Sequence, residues 1–508
     1  MRRAFGVCLP LRWWLFVVAT LLLVFPTCLY WNTTWMEYGL RDDYSVTREA
    51  REEPGKEIRF CGSQARPIYG WLLQTTFKHI DHIRDLSWSR LGGSICLGFM
   101  AAGVCLVLVL LYSWSLTTAA CVGAMFALVP SAQMVAGWSI LWPYAYSALL
   151  SMAAFVAAEN GFRQPPTARG KQFVLCILAM VLVVASAWTF QPNGLFYLVF
   201  IAVKAVRRGE LVQQAPRFRL IQHLFLLGWA MLMAYALIRL AFALELLPIS
   251  KRVAFEHDYF GKFVWFVKNP LPNALALLVL NDFQGRTSPW YQLMVGAVAV
   301  LLMVGGIQVT RRRGWREGLV WFAGIAVLGT GAYGINLMVS ERWASYRTIY
   351  PLVGVVLIYV AASVEVLGET INVIKRFRVG LGLAVVVAAA FFARWQAYEL
   401  IAVPQNKELR LVEQESRKLD LTRDQRVYII TPTPEIAPAP LLYTDEFGSL
   451  STDSDWVPKE IMKLFFYEKY PKMPPCRSLD HMVSGFQSPP PGVYDVVIDL
   501  RGLRAMTN

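Results

Sequence analysis

The sequence predicts an all-α polytopic membrane protein with a small α/β domain at its C-terminal end. Its composition is one reason: of 508 residues, 56% are hydrophobic and 17% charged, whereas soluble proteins carry about 25% charged residues. The second reason is that apolar residues recur in runs long enough to cross roughly 30 Å of hydrocarbon as helices. We predict about eleven spans, near residues 12–31, 91–112, 117–137, 140–158, 172–190, 192–206, 220–245, 291–310, 318–340, 351–367 and 378–397.

The first apolar run follows Arg2, Arg3 and Arg12, as the apolar part of a signal peptide would. The stretch LLLVFPTCLYWNTTW has no convincing small-residue cleavage site, and its end carries aromatic residues of the kind found at membrane interfaces. We therefore interpret this run as a membrane span that is retained.

The charges of the short loops predict an N-terminus in the cytoplasm. With that orientation the inner loops read FRQPPTARGK, KAVRRGELVQQAPRFR, RRRGWREG and IKRFRV, and the outer loops include AGWSILWP and QPNG. Lys and Arg accumulate in cytoplasmic loops, and an odd number of spans places the C-terminus outside. These loops largely explain the net charge of +14, so we do not expect nucleic acid as a partner.

Three longer polar segments fall on the predicted outer side. We predict a polytopic transmembrane domain over 1–400, with outer loops 32–90 and 246–290, and an extracytoplasmic α/β domain over 401–508. Within the second loop, FVWFVKNPLPNALALLVL indicates a broken helix at the outer interface. Chemistry on this side has no ready access to ATP or nucleotide sugars.

The tail alternates between helical and strand patterns. NKELRLVEQESRKL and PKEIMKLFFYEKY predict helices, while RVYIITP and GVYDVVIDLR are β-branched runs typical of strands. This alternation indicates a compact α/β unit.

The stretch YGLRDDYSV carries two adjacent acids, Asp42 and Asp43, soon after the first span. A carboxylate there can act as general base on a hydroxyl, or can hold a divalent cation such as Mg²⁺ or Mn²⁺ that neutralises a phosphate. The alternative is a helix cap or a solvated turn.

Basic residues near outer span ends could bind the phosphate of a lipid-linked donor. A guanidinium there binds phosphate oxygens in a fork and stabilises the charge as the phosphate leaves. Alternatively, these long side chains only extend toward the interface. The candidates are Arg66, Lys251, Arg252, Arg342 and Arg347.

Other polar and aromatic residues allow two interpretations each. Trp138 lies near a short outer turn, where it belongs either to an aromatic belt or to a sugar-stacking surface. Gln191 either hydrogen-bonds sugar hydroxyls or is a solvated turn residue. The segment HIDH at 79–82 has no evident third metal ligand. Cys61 and Cys476 both lie in outer regions, as a disulfide pair or as two thiols.

These residues together resemble the GT-C superfamily of polytopic glycosyltransferases, and most closely the bacterial O-antigen glucosyltransferase (Gtr-type) group. The resemblance rests on Asp42, Asp43 and Tyr44, on the step Arg66–Pro67, and on Gln191. Two positions depart from that pattern, since residue 65 is Ala instead of Gly and residue 190 is Phe instead of Tyr.

The resemblance implies an inverting enzyme of the bacterial cytoplasmic (inner) membrane. Its donor would be a polyprenyl-phosphate-linked sugar, and its acceptor a surface polysaccharide or a lipid-linked glycan. Asp42 and Asp43 would be catalytic, the basic residues would hold the donor phosphate, and Tyr44, Trp138 and Gln191 would contact sugar or acceptor.

Three other functions remain open on the sequence. A transporter or flippase of lipid-linked oligosaccharide would carry ionisable residues mid-span, where we find little besides Arg239. A polymerase or ligase of surface polysaccharide would share the donor and the location. A non-catalytic envelope scaffold would tolerate replacement of both acids.

Overall fold

The computed structural model describes residues 9–206, 216–281, 288–370, 372–420, 423–432, 443, 445–469 and 482–502. Over these residues the chain is largely helical, with three short strands near the C-terminal end. The helices of the first half are α1 (Leu9–Leu29), α2 (Trp31–Trp35), α3 (Asp42–Glu52), α4 (Lys56–Ser63), α5 (Pro67–Phe77), α6 (Leu86–Tyr112), α7 (Leu116–Phe126), α8 (Pro130–Gly137), α9 (Trp142–Phe162), α10 (Arg169–Thr189), α11 (Gln191–Gly194), α12 (Tyr197–Val206) and α13 (Pro216–Ala243).

The second half continues in the same way and ends in the mixed unit. Its helices are α14 (Tyr259–Lys268), α15 (Pro270–Leu275), α16 (Pro289–Arg313), α17 (Trp315–Ala332), α18 (Gly334–Met338), α19 (Tyr350–Thr370), α20 (Asn372–Trp395), α21 (Val403–Ser416) and α22 (Val457–Lys469), and its strands are β1 (Val427–Ile430), β2 (Val483–Gly485) and β3 (Val496–Asp499).

Eight helical segments of the described chain are long and apolar enough to cross a membrane. This is the architecture of a multi-pass membrane protein, as the composition predicts. The segments are Arg12–Leu29, Ile83–Tyr112, Ser139–Phe162, Arg169–Thr189, Arg219–Ala243, Pro289–Arg313, Tyr350–Glu369 and Val379–Ser416.

The other three predicted spans differ from straight membrane helices. The run 117–137 forms α7 and α8, which are bent by 54° at the break before Pro130. The run 192–206 lies in a shorter apolar helical segment, Gln191–Val206. The run 318–340 is divided between α17 and α18. Counting apolar runs overstates the number of long helices because it does not detect such breaks.

The membrane helices pack at close range where glycine permits it. Helix α6 crosses α1 at Gly98, where a side chain would collide with the backbone of Leu23. Extensive contacts also join α9 to α10, and α16 to both α17 and α19.

One buried ionic cluster lies between α9, α12 and α13, toward the predicted cytoplasmic ends of these helices. Glu159 Oε2 is 2.8 Å from Lys204 Nζ and 2.8 Å from His223 Nε2. The other carboxylate oxygen of Glu159 pairs with Arg163, and His223 Nδ1 lies 2.6 Å from the Tyr197 hydroxyl. Every member therefore has a partner, and the cluster joins the three helices.

The stretch between the first two membrane helices, predicted as the outer loop 32–90 and named the first outer segment after that prediction, folds into four helices. Helices α2 to α5 occupy most of the stretch between the first two membrane helices. Helices α4 and α5 touch at Gly70, where a Cβ atom would collide with the backbone of Glu57. The acidic pair lies within this helical segment, in the first turn of α3.

The second outer segment contains the predicted broken helix. Helices α14 and α15 are separated at Asn269, as the Asn-Pro step predicts. Upstream, Phe255 and Val339 form an antiparallel bridge that joins this segment to the chain before α19. Residues 282–287 lie outside the described chain.

The described part of the tail contains a small sheet of three strands near the C-terminal end. Its three strands are all parallel in the order β2-β1-β3, with Tyr428 opposite both Val483 and Val497. Strands β1 and β3 are the two predicted ones, whereas β2 is too short for its pattern to stand out. Helix α22 docks onto α3, where Arg48 Nε and Nη2 lie 3.0 and 2.8 Å from Glu460 Oε2.

Candidate functional site

Asp42 is a partly buried carboxylate without a partner in the described chain. It occupies the first position of α3, and neither a hydrogen bond nor an ion pair engages its carboxylate there. Partly buried carboxylates are normally paired or hydrogen-bonded, because burial without a partner disfavours their charge. Asp42 therefore keeps its acceptor capacity for a group from outside the chain.

Four guanidinium groups act on this carboxylate from different parts of the sequence. In order of their effect they are those of Arg347, Arg41, Arg252 and Arg66. Three of the four, Arg347, Arg252 and Arg66, are sequence-predicted phosphate ligands that lie within electrostatic range of this acid. None of the four forms an ion pair with Asp42.

Burial and these cations have opposite effects on Asp42. Burial raises the pKa of Asp42, the four guanidinium groups lower it, and the net result is a pKa above the ordinary aspartate value. A carboxylate with a raised pKa is a stronger base when ionised.

Asp43 has very different surroundings from its neighbour. It is fully buried, and its two oxygens accept backbone N–H groups, Oδ2 from Leu40 at 2.9 Å and Oδ1 from Ile140 at 3.0 Å. Burial raises its pKa to about 7, against the effect of these hydrogen bonds and of Arg90. Asp43 thus ties the start of α3 to the turn before α9, which makes Asp42 the better candidate base of the pair.

Tyr44 is also fully buried and closes the same turn. Its hydroxyl donates to Gly39 O and accepts from Gly39 N, both at 3.0 Å. The ring is buried and the hydroxyl is occupied by these two backbone hydrogen bonds. Contact with a sugar would therefore require this turn to open.

Arg66 is the residue immediately before α5, and aromatic and polar groups surround its guanidinium. Its Nη1 donates to the Tyr144 hydroxyl at 3.1 Å, its Nη2 donates to Gln64 Oε1, and its guanidinium carbon lies 5.6 Å from the Tyr69 ring centroid. No carboxylate of the described chain forms an ion pair with it, so its charge remains available to an anion.

Gln191 stabilises the turn that carries Arg66. Its Nε2 donates to Gln64 O at 2.7 Å and to Ala65 O at 3.2 Å. Ala65 has φ = +62°, a left-handed conformation that glycine adopts at little cost. Ala65 therefore has the left-handed backbone that a glycine at this position would adopt readily.

Arg347 lies between aromatic rings and acids. Its guanidinium carbon is 4.6 Å from the Trp138 ring centroid and 5.0 Å from that of Trp343. Its Nη2 is 3.4 Å from Asp445 Oδ1 and 3.7 Å from Glu446 Oε1. Trp138 is 1% exposed, so it supports this arginine and offers no open face to a sugar.

The remaining predicted cations divide between two places. Lys251 and Arg252 are exposed on a short segment held against the first outer segment, where Ser250 N donates to Ser63 O at 3.1 Å. Arg342 instead pairs with Glu256 at 3.5 Å and Asp258 at 3.4 Å. Arg252 therefore lies within electrostatic range of Asp42, whereas Arg342 has acidic partners of its own.

Sequence reasoning missed the acids that hold two of the arginines. Arg41 Nε lies 2.9 Å from Glu446 Oε2, and its Nη2 lies 3.0 Å from Asp453. Asp445 and Glu446, the first two residues of the segment DEFG at 445–448, thus pair with the arginines: Glu446 with Arg41, and both acids with Arg347. The motif is visible in the sequence, but its position about 400 residues from Arg41 gives no sign of the contact.

Arg90 is a second residue that the sequence did not single out. It is fully buried, and it donates to the backbone oxygens of Met36 at 2.7 Å, Tyr38 at 2.9 Å and Thr34 at 3.1 Å. Because Arg90 lies near the start of the apolar helix α6, its sequence position suggests a cation at the membrane interface. Instead it fixes the chain that leads from α2 to Asp42.

A divalent cation at the acidic pair stays a prediction, and of the two acids only Asp42 has carboxylate oxygens free of hydrogen bonds in the described chain. Both oxygens of Asp43 accept backbone N–H groups, and the strongest charges near Asp42 are guanidinium groups, which repel a metal ion. Among the described residues, no group of three or more His, Cys, Asp or Glu could hold a metal.

The cysteine prediction falls partly outside the described chain. Cys61 is buried on α4 as a free thiol, whereas Cys476 is outside the described residues. Their pairing stays a prediction.

No protein-family model matches this chain, and no curated protein matches it either. The observations that bear on function are therefore the surroundings of Asp42 and the resemblance of the sequence to the GT-C superfamily.

Proposed function

We propose that this protein is a GT-C-type glycosyltransferase of the bacterial cytoplasmic membrane. It would move a sugar from a polyprenyl-phosphate-linked donor to a surface polysaccharide or a lipid-linked glycan on the outer face. The observation that carries the proposal is the unpartnered carboxylate of Asp42 within the field of four guanidinium groups. That arrangement suits a reaction that deprotonates a hydroxyl while an anionic phosphate departs.

In the proposed reaction, the oxygen of an acceptor hydroxyl forms a bond to C1 of the donor sugar. The bond between C1 and the phosphate oxygen breaks, and the phosphate leaves with the electron pair. Asp42 accepts the proton of the hydroxyl as general base. Direct displacement of this kind inverts the configuration at C1.

The guanidinium groups have the complementary task of stabilising the leaving phosphate. Arg66 supports this role best, because no carboxylate of the described chain pairs with it and only neutral polar groups bind it. Arg252 is exposed and acts on Asp42 as well. Arg347 is already paired with Asp445 and Glu446, so it would shape the field around the anion.

The deciding experiment replaces Asp42 by Asn in the cell that carries the protein. The matched control is Asp81→Asn, an exposed acid in the same outer segment. We expect Asp42→Asn to insert normally and to remove one sugar from the mass of the surface glycan, with the control unchanged. An unaltered glycan in correctly inserted Asp42→Asn would contradict the proposal and favour a scaffold.

A further inference from the structure

Glu446 is a buried carboxylate that contacts two arginines from distant parts of the chain. It is 1% exposed. Its Oε2 lies 2.9 Å from Arg41 Nε, and its Oε1 lies 3.7 Å from Arg347 Nη2. One oxygen of the carboxylate thus faces each guanidinium. Glu446 therefore bridges the residue immediately before α3 and a residue just before α19.

The two bridged arginines repel each other. The charge of Arg347 acts against that of Arg41, and burial disfavours the charge of both. A carboxylate between two cations reduces their repulsion and gives each of them a partner. Each arginine has one further acid, since Arg41 lies 3.0 Å from Asp453 and Arg347 lies 3.4 Å from Asp445. Glu446 is the acid that both of them share.

The segment around Glu446 is anchored to the chain that carries Arg347. The preceding residue, Asp445, accepts a hydrogen bond from the Ser345 hydroxyl at 2.6 Å and another from the N–H of Tyr346 at 3.1 Å. On the other side, Ser449 Oγ lies 3.2 Å from Glu446 Oε2. These contacts keep the carboxylate of Glu446 next to both guanidinium groups.

The bridged arginines are also the two cations that act most strongly on Asp42. Their charge favours the ionised form of Asp42 and so weakens it as a proton acceptor. An acid bound to both of them removes part of this effect. Neither Asp42 nor Glu446 contacts the other in an ion pair or hydrogen bond, so the influence of Glu446 on Asp42 passes through the arginines and through space.

We propose that Glu446 is a positioning residue that bridges two arginines of the candidate site and offsets their charge at Asp42. The inference rests on the proposed function and adds how the basicity of its general base is set. It also gives the C-terminal tail a part in the site, because Glu446 belongs to the tail and Asp42 to the first outer segment.

The test measures the electrostatic field at residue 42 without requiring catalysis. In a background whose eight natural cysteines are replaced by alanine, Asp42→Cys places a thiol at this position. Purified protein in nanodiscs is alkylated with iodoacetamide, a small neutral reagent, between about pH 7 and about pH 10. The midpoint of the rate against pH reports the pKa of this thiol, because the thiolate is the reactive form.

Glu446→Gln is the informative variant, because glutamine keeps an acceptor for Arg41 and loses the negative charge. Burial raises the pKa of Glu446 to about 7, against the effect of Arg41 and Arg347, so in the wild type Glu446 is ionised over most of the pH range of the assay. We expect Glu446→Gln to lower the midpoint by at least about 0.3 pH unit, the effect of one unit charge about 10 Å away in water. Glu446→Asp should leave the midpoint near its original value.

The matched control is Glu460→Gln. Glu460 also joins the tail to α3, through Arg48, and Arg48 is not among the four arginines that act most strongly on Asp42. This variant should leave the midpoint unchanged. If Glu446→Gln does not fold, Asp453→Asn gives the same test from a less buried partner of Arg41 and should also lower the midpoint.

The inference is overturned if the midpoint stays or rises in folded Glu446→Gln, or if Glu460→Gln lowers it equally. Should Asp453→Asn have to replace Glu446→Gln, an unchanged midpoint in that variant overturns it as well. A lowered midpoint together with an unaltered glycan in Asp42→Asn cells would support the role of Glu446 and contradict the proposed transfer. An unchanged midpoint together with loss of the sugar in Asp42→Asn cells would contradict the role of Glu446 alone.

Discussion

Asp42 and Asp43 are adjacent in the sequence, yet the fold gives them separate tasks. The first has an open carboxylate among guanidinium groups, and the second has both oxygens occupied by backbone N–H groups. The sequence predicted that an acid and several arginines would meet, and Arg66, Arg252 and Arg347 do act on Asp42. It could not distinguish the two acids, because the N–H of Ile140 comes from a distant part of the chain.

The raised pKa of Asp42 predicts the pH dependence of transfer. A general base works in its ionised form, so kcat/KM should fall as the pH drops through the pKa of Asp42 and should level off above it. Because burial raises this pKa, the fall should begin above the range of an ordinary aspartate. Transfer assays between about pH 4 and about pH 8 check this. A flat profile over that range would argue against a carboxylate base.

Asp43→Asn should destabilise the protein. An amide offers one acceptor where Asp43 has two, so the N–H of Leu40 or of Ile140 loses its partner inside the fold. A buried donor without a partner costs about 1–3 kcal/mol. The melting temperature in detergent should therefore drop for Asp43→Asn and stay unchanged for Asp42→Asn. A stable Asp43→Asn variant without transfer activity would instead place Asp43 in the chemistry.

The long apolar helices and the strands β1 and β3 could be predicted from the periodicity of apolar residues in the sequence. The four helices of the first outer segment could not. Its polar sequence suggested a loop, and its four helices depend on partners elsewhere. Helix α3, for example, is held by Glu460 of the tail through Arg48. Contacts between residues so far apart leave no periodic pattern for sequence reasoning to detect.

Arg90→Lys should destabilise the segment between α2 and α3, although the side chain keeps its positive charge. A lysine cannot form the guanidinium fork, so backbone oxygens of Thr34, Met36 and Tyr38 lose donors. We expect the free energy of unfolding to fall by about 2–4 kcal/mol. Thermal melting is the measurement, and Arg84→Lys, at an exposed position nearby, is the control. Equal melting of the two variants would contradict this role of Arg90.

For the whole molecule, the proposal depends on which side of the membrane each segment faces. The distribution of Lys and Arg among the short loops predicts that the segment with Lys251 is outside and that the loop with Arg169 is inside. In a background without the eight natural cysteines, Lys251→Cys should react with a membrane-impermeant maleimide on intact spheroplasts. Arg169→Cys should react only after permeabilisation. The reverse pattern would invert the orientation and move Asp42 to the cytoplasm.

The last membrane helix does not stop at the predicted domain boundary. Helix α20, a π-helical turn at Gln396–Ala402 and α21 form one uninterrupted helical rod. Beyond the turn, Glu408 accepts the N–H groups of Ser451 and Thr452, and Ser451 Oγ in turn accepts the N–H of Arg41. Inserting one residue into that rod would rotate α21 by about 100° and carry Glu408 away from these donors. Arg41, the residue before Asp42, is therefore connected through Ser451 and Glu408 to the final transmembrane helix. The position of Asp42 consequently depends on the orientation of a helix near the C-terminal end of the described chain.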